Sequence, residues 1–269
     1  MDSYNFERYL KILGIRAEEP NLDNLNLIIK AHLMKIPFEN ISKLYYLKKF
    51  NLKFIPSFNQ FLAGVEKYNL GGTCYATNYY LHELLNFLGY SVHLCGADMK
   101  NPDVHVANVI KIGDKEFIVD VGYSAPFLET MPRDLDSDFR INAENNEYYI
   151  LSPRDEKGQS KLSFFRNNEY RGNYTLKPEP RRISEFKQPI KNSFNSDATF
   201  MNSVLITKFG LHYFLKLHNL QFIEYNGNKI ESFQISNKDE LSKIIESKFH
   251  IPSIISNTAL DNMSFTVNP

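Results

Sequence analysis

At Tyr90 the spacing of apolar residues changes from three and four to two, which limits the chain to a fold that sets helices beside a sheet. Before that point, Phe6, Tyr9, Leu10 and Leu13 recur at helical spacing after Asp2-Ser3, with Gly14 as a stop. Leu22, Leu25, Ile28, Ile29, His32 and Leu33 make a second stripe that ends before Pro37. Phe58, Phe61, Leu62 and Val65 make a third, behind Pro56 and Ser57. A fourth predicted helix has Thr73 as N-cap, Leu81, Leu84, Leu85 and Leu88 on its buried face, and Gly89 as terminator. From Tyr90 onward "YSVHLCGAD", "VHVANVIKI", "EFIVDVGY", "EYYILS", "KLSFFR" and "YRGNYTL" alternate as strands. So many short strands in succession predict an antiparallel barrel or a strongly curved sheet. Pro178, Pro180 and Pro189 mark an irregular connection. Beyond it come "LHYFLKL", then "LQFIEY" and "KIESFQI" joined at Asn226-Gly227-Asn228. A last helix starts near Asn237, with Glu240 completing a capping box and Leu241, Ile244 and Ile245 buried.

The charges balance at 31 basic and 31 acidic residues, so no global field draws the chain to nucleic acid or to an anionic membrane. Arg181-Arg182 with Lys177 form a local basic patch, expected to be a solvated loop rather than a phosphate site. The amino terminus has neither a basic start nor an apolar run of the kind a secretory signal carries, and no stretch is long and apolar enough to span a bilayer. Cys74 and Cys95 make at most one disulfide, a weak staple for 269 residues, so free thiols in a reducing cytoplasm are expected. Neither a second CxxC nor an HxxxH is present to complete a zinc site, and no metal is expected.

"LGGTCYATN" sets Cys74 at the predicted start of a helix. Unpaired N–H groups and the positive end of the dipole favour a thiolate there. Gly71 and Gly72 would let backbone approach the thiol and leave room for a substrate. A single cysteine is nevertheless more often a small buried hydrophobe than a nucleophile, which is the reading given to Cys95. His105 and Asp120 change the balance. Gly113-Asp114 is a two-residue hairpin signal that sets Lys111 opposite Glu116 and Ile110 opposite Phe117. The same count sets Ala107 opposite Asp120 and His105 opposite Gly122, so His105 and Asp120 share a face as diagonal neighbours, about 7–8 Å apart at the backbone. Asp120 is an acid in an apolar strand and needs a partner there. The pair could simply staple the hairpin. Joined by Cys74 it follows triad logic: Asp120 orients the imidazole, His105 takes the thiol proton, and Cys74 attacks a carbonyl.

These residues resemble the arylamine N-acetyltransferases. The likeness runs through "YLKILGI", "HLMKIPFENI", "GGTCYATN", "LLNFLGYSV", "HVANVIKI" and "FIVDVGYSAP", roughly the first half of the chain. It implies an α+β fold in three parts, with a cysteine-protease-like Cys-His-Asp arrangement. Residues 1–88 would be a helical bundle carrying the cysteine, 89–200 an antiparallel β-barrel carrying the histidine and aspartate, and 201–269 an α/β lid. It implies ping-pong chemistry in which acetyl-CoA acetylates Cys74 and an arylamine, arylhydrazine or N-hydroxyarylamine then attacks the thioester. It also implies that Phe38 lines an aromatic acceptor pocket, where plain core packing is an equal alternative. Gly122, Tyr123 and Ser124 would lie near the thiol and the coenzyme. Three positions depart from the family's usual pattern: Leu70 replaces an arginine, Ala76 a glutamate and Ser124 a glycine. The first two changes leave Glu39 without its expected partner, and a side chain at 124 would narrow the approach to the thiol. Two enzymatic alternatives remain open: a thiol hydrolase or transglutaminase-like enzyme, and an amide synthase with a wider pocket. A degenerate homologue that only binds a small ligand is the non-enzymatic one. His212, His218 and His250 are separated singles with no assigned chemistry.

Overall fold

The computed structural model describes residues 3–143, 146–211, 213–227, 229–261 and 263. Helix α1 (Ser3–Leu13) buries Phe6, Tyr9, Leu10 and Leu13, and α2 (Leu22–Lys35) buries Leu25, Ile28, Ile29, His32 and Leu33, as their spacing predicts. Strand β1 (Phe38–Glu39) and helix α3 (Ile41–Phe50) follow. Ser57 and Gln60 close a reciprocal capping box at the start of α4 (Phe58–Tyr68), whose Phe58, Phe61, Leu62 and Val65 face inward. Helix α5 (Cys74–Phe87) begins after Thr73, which has extended N-cap geometry but no side-chain cap bond, and gives way to Gly89 at φ +86°. The apolar faces of α1, α2, α4 and α5 form one core with Val92, Ile110 and Val119 of the adjoining strands.

Eight of the described strands make the barrel: β2 (Ser91–Asp98), β3 (His105–Ile112), β4 (Lys115–Val119), β5 (Met131–Pro132), β6 (Phe139–Asn142), β7 (Glu147–Leu151), β8 (Ser160–Arg166) and β9 (Glu169–Pro180). They pair antiparallel in the order β5-β4-β3-β2-β9-β8-β7-β6 and curl to near closure around Cys95, Ile118, Phe127, Leu162 and Tyr174. Pro178 and Pro180 sit within β9, not in an irregular connection. The β2–β9 pairing shifts register between Cys95 and Ala97, and such a bulge tolerates residues that cannot donate a ladder bond.

The β3–β4 hairpin has the register counted from its turn, with Lys111 opposite Glu116 and Ile110 opposite Phe117. The Glu116 carboxylate, however, is taken by Arg133 at 2.9 Å and Arg154 at 3.1 Å. The ladder stops at Asn108 and Val119, so the expected pairings of Ala107 with Asp120 and of His105 with Gly122 do not form. A side chain replaces the missing rung. Asn78 of α5 donates to the Val106 carbonyl at 2.7 Å and accepts from the Val121 N–H at 2.9 Å, which holds the two chains apart at the helix.

A 3₁₀ turn at Ile183–Phe186 and the short helices α6 (Lys187–Asn192) and α7 (Thr199–Asn202) lead to a second sheet. It comprises β10 (Leu205–Phe209), β11 (Tyr213–His218), β12 (Gln221–Asn226) and β13 (Lys229–Gln234), with β1 added beside β10. Asn226 pairs with Lys229 across the expected turn, of which Asn228 lies outside the described residues, as does His212. Asn237 caps α8 (Lys238–Phe249) by accepting from the Glu240 N–H, while the Glu240 carboxylate reaches the Ser236 N–H, one residue upstream of a true box. Leu241 and Ile245 are buried and Ile244 half-buried. Helix α9 (Ser253–Leu260) packs on α3. Neither α3, α9 nor β10 is anticipated by the periodicity. Each is short, and their apolar residues (Ile41, Leu44, Ile206, Ile255, Leu260) find cover only in one another's company.

Candidate active site

Cys74 is the first residue of α5 and is 6% exposed. Both cysteines are free and buried. The Cys74 sulfur lies 3.9 Å from the Val104 carbonyl, next to His105 at the start of β3. The glycines before it serve the backbone: a Cβ on Gly71 would fall 1.8 Å from the Pro37 carbonyl oxygen, so the space beside Gly71 is filled by the chain itself and not left for a substrate.

His105 Nε2 is 2.7 Å from Asp120 Oδ2, and both side chains are buried. Burial alone would lower the imidazole's pKa. The Asp120 carboxylate and Cys74, each through charge and a hydrogen bond, overcome it and hold the ring well above its ordinary value. Asp120 shows the reciprocal balance. Burial pushes its pKa up, but the His105 cation and donors from His105, Asn78 and Gly122 bring it below the usual carboxylate range. Asn78 Nδ2 at 2.8 Å and the Gly122 N–H at 2.9 Å share its Oδ1. Each partner of the pair thus favours the charged form of the other.

Asn78 was not anticipated as a site residue. Lying four positions after Cys74, it shares that face of α5 and orients Asp120 from the same helix that presents the thiol. The available signal was a polar residue on an otherwise apolar helix face, fully buried ahead of Leu81, Leu84 and Leu85.

Gly122 abuts Cys74, since a Cβ there would lie 2.6 Å from both Cys74 Cα and Asn78 Nδ2. Tyr123 turns away into the barrel, where its ring meets Phe127 and stands edge-on to His105 at 5.6 Å. Ser124 adopts φ +59°, a conformation that favours glycine, and its hydroxyl is hydrogen-bonded to the Thr207 hydroxyl of β10. Phe38 is opposite Thr207 in the β1–β10 pairing, bridges to Gly72 and sets its ring edge-on to Phe200 at 6.0 Å. At 6% exposure it is packed, and it does not line the cavity described next.

That cavity, of about 30 Å³, runs along Gly72, Thr73 and Ala76, the residues around Cys74 in the chain, and is lined as well by Lys43, Phe54 and Phe194. Leu70 is 1% exposed within the apolar core of the second sheet. Glu39 is not left unpartnered: its carboxylate accepts from the Gly71 N–H at 2.9 Å and the Ser42 N–H at 2.8 Å. Burial raises its pKa, against the lowering effect of those bonds. The basic patch is likewise not free, because Arg181 pairs with Asp103 at 2.9 Å, and Lys177 with Asp98 at 2.8 Å and Asp103 at 3.0 Å. Among the described residues no His, Cys, Asp and Glu side chains cluster as metal ligands, and no helix is long and apolar enough to cross a membrane.

A family model described as N-acetyltransferase matches residues 21–255, most of the chain. The chain belongs to the arylamine N-acetyltransferase family. The match continues through the second sheet, well beyond the half that carries the sequence motifs. Arylamine N-acetyltransferase 2 of Mus musculus is 25% identical over 207 residues, 68% of this chain and 70% of the mouse protein. Proansamycin X synthase of Amycolatopsis mediterranei (strain S699) is 26% identical over 204 residues, covering 70% and 73% respectively. The arylamine N-acetyltransferase of Mycobacterium marinum, solved in complex with CoA, superposes with a TM-score of 0.79 at 17% identity, over 97% of this chain and 100% of that one. The helices, barrel and second sheet are thus the fold of the arylamine N-acetyltransferases.

Proposed function

We propose that this protein moves an acetyl group from acetyl-CoA through a Cys74 thioester to an arylamine, arylhydrazine or N-hydroxyarylamine. The observation that carries the reading is the buried His105–Asp120 pair, 2.7 Å apart, with Cys74 at the start of α5 and its sulfur 3.9 Å from the carbonyl of Val104, the residue before His105. In the first half-reaction the Cys74 sulfur, its proton held on His105, attacks the acetyl carbonyl of acetyl-CoA. A new C–S bond forms, the C–S bond to CoA breaks, and His105 returns the proton to the departing thiolate. In the second, the acceptor nitrogen attacks the acetyl-Cys74 carbonyl, the C–S bond to Cys74 breaks, and His105 accepts the proton shed by nitrogen. Asp120 keeps the ring oriented throughout and stabilises its charged form. Of the three residues of the loop after Asp120, Gly122 is the one packed against the Cys74 backbone, where a Cβ would lie 2.6 Å from Cys74 Cα.

The M. marinum relative's complex with CoA supports the choice of donor. At the three departures from the family's pattern, which motivate the binding-protein alternative, Leu70 and Ala76 are packed and Ser124 is tied to Thr207. Acetyl-CoA without acceptor should add one acetyl group to the intact protein, mapped to Cys74 and lost on adding phenylhydrazine. Cys74→Ala should abolish turnover with the fold intact. Full activity of that variant would remove the mechanism. Slow loss of acetate without acceptor would favour the hydrolase, and a Cys74 inert to both acetyl-CoA and iodoacetamide would favour a binding protein.

A further inference from the structure

The cavity lined by Gly72, Thr73 and Ala76, around Cys74 in the chain, contains a cation with no carboxylate partner. Lys43, in the first turn of α3, is half-buried. Its ammonium donates to Ser193 Oγ at 2.6 Å and lies 4.0 Å from the centre of the Phe194 ring. Both partners are neutral, and among the described residues no carboxylate is within ion-pair distance. Burial lowers its pKa to about 8, and Cys74 is the one group that acts in the opposite direction. An ammonium so held is still mostly protonated at neutral pH. A partly buried charge that lacks a partner is costly, and the cost falls when an anion arrives. The remaining walls are apolar or backbone, from Phe54, Gly72, Thr73, Ala76 and Ile190. At about 30 Å³ the space suits a small head group rather than a whole ring.

We propose that Lys43 binds a carboxylate carried by the molecule that reacts at Cys74, so that the enzyme selects for anionic substrates. The proposal rests on the transfer reading above. It identifies the chemistry recognised; the carboxylate belongs either to the acceptor, as in an aromatic amino acid, or to the acyl group, as in the half-thioester of a dicarboxylic acid. The ammonium would keep its contacts to Ser193 and Phe194 and give a remaining N–H to the carboxylate.

Two pairs of substrates separate the sources. In the acceptor arm, acetyl-Cys74 is discharged by 4-aminobenzoate or by its neutral methyl ester. In the donor arm, Cys74 is acylated by malonyl-CoA or by acetyl-CoA. One arm should favour its anionic member at least about tenfold in kcat/KM, the scale of one charge-assisted hydrogen bond. Lys43→Met, close in volume, should bring that ratio to about one or below, while Lys43→Arg should retain part of the preference. The ratio is read within each variant, so a general loss of rate does not mimic the effect. Equal use of both members in both arms, or a preference that survives in Lys43→Met, overturns the proposal. If Cys74 accepts no acyl group from either donor, the transfer reading fails by itself. Saturable binding of benzoate or malonate but not benzamide, lost in Lys43→Met, would then uphold the carboxylate site, and its absence would overturn it.

Discussion

Asn78→Ala removes three buried hydrogen bonds in one step. The amide gives one N–H to Asp120 Oδ1 at 2.8 Å and another to the Val106 carbonyl at 2.7 Å, and its oxygen accepts from the Val121 N–H at 2.9 Å. A bond to an ionised group is worth about 1.5–3 kcal/mol and each neutral one about 1 kcal/mol. Val106 and Val121 are both buried, so their backbone groups are left without water to replace the lost partner. The expected loss is therefore about 3–5 kcal/mol, large for a single substitution. Urea unfolding followed by circular dichroism should show the midpoint falling with little change in slope. The same variant should acylate Cys74 more slowly, because Asp120 loses one of the donors that hold it ionised against His105. Asn108→Ala, which removes one bond to the Asn78 carbonyl at 3.0 Å, serves as a comparison and should cost about 1 kcal/mol. A loss below about 1 kcal/mol for Asn78→Ala, together with an unchanged acylation rate, would refute the view that this amide replaces a rung of the hairpin.

Gly122→Ala should cost about 1–3 kcal/mol, the range for overpacking, and should slow acylation, since its Cβ would meet Cys74 Cα at 2.6 Å. A crystal structure of the variant with α5 unmoved and a normal acylation rate would contradict this. His32 is buried with Nδ1 at 2.9 Å from the Tyr9 hydroxyl, and burial lowers its pKa to about 3. The unfolded imidazole takes a proton below about 6.5 while the folded one stays neutral, so the unfolded state binds more protons and stability falls as pH drops from there towards 3, by up to about 1.4 kcal/mol per pH unit. His82, lowered to about 4 by burial, adds a parallel slope. His32→Gln should remove its own share, visible as a smaller drop in urea midpoint between pH 7 and pH 5. Identical pH slopes in variant and parent would rule out His32 as a source.

Where a helix stripe could be completed by its own residues, the order of letters was sufficient. Phe6 to Leu13, Leu25 to Leu33 and Phe58 to Val65 are buried as their spacing demands, because a helix places residues three and four apart on one face whatever it packs against. The hairpin at Gly113-Asp114 was equally legible, since a two-residue turn imposes the register of the strands it joins. The letters also singled out Cys74, His105 and Asp120, of which the structure sets His105 and Asp120 2.7 Å apart.

What the letters could not say is where those elements meet. The strand count placed His105 and Asp120 on one face of a continuous ladder, whereas the ladder ends one pair earlier and an asparagine from another element takes over its hydrogen bonds. That exchange depends on α5 lying across the end of β3 and β4, a contact between residues up to 43 positions apart. The same holds for Phe38, whose β1 joins a sheet built from residues after 204, and for Glu39, whose expected charged partner is replaced by backbone N–H groups of Ser42 and Gly71. Periodicity is a property of one segment and survives any context. Hydrogen-bond partners for a buried group are supplied by whichever chain arrives beside it, and only the packed structure decides which one that is.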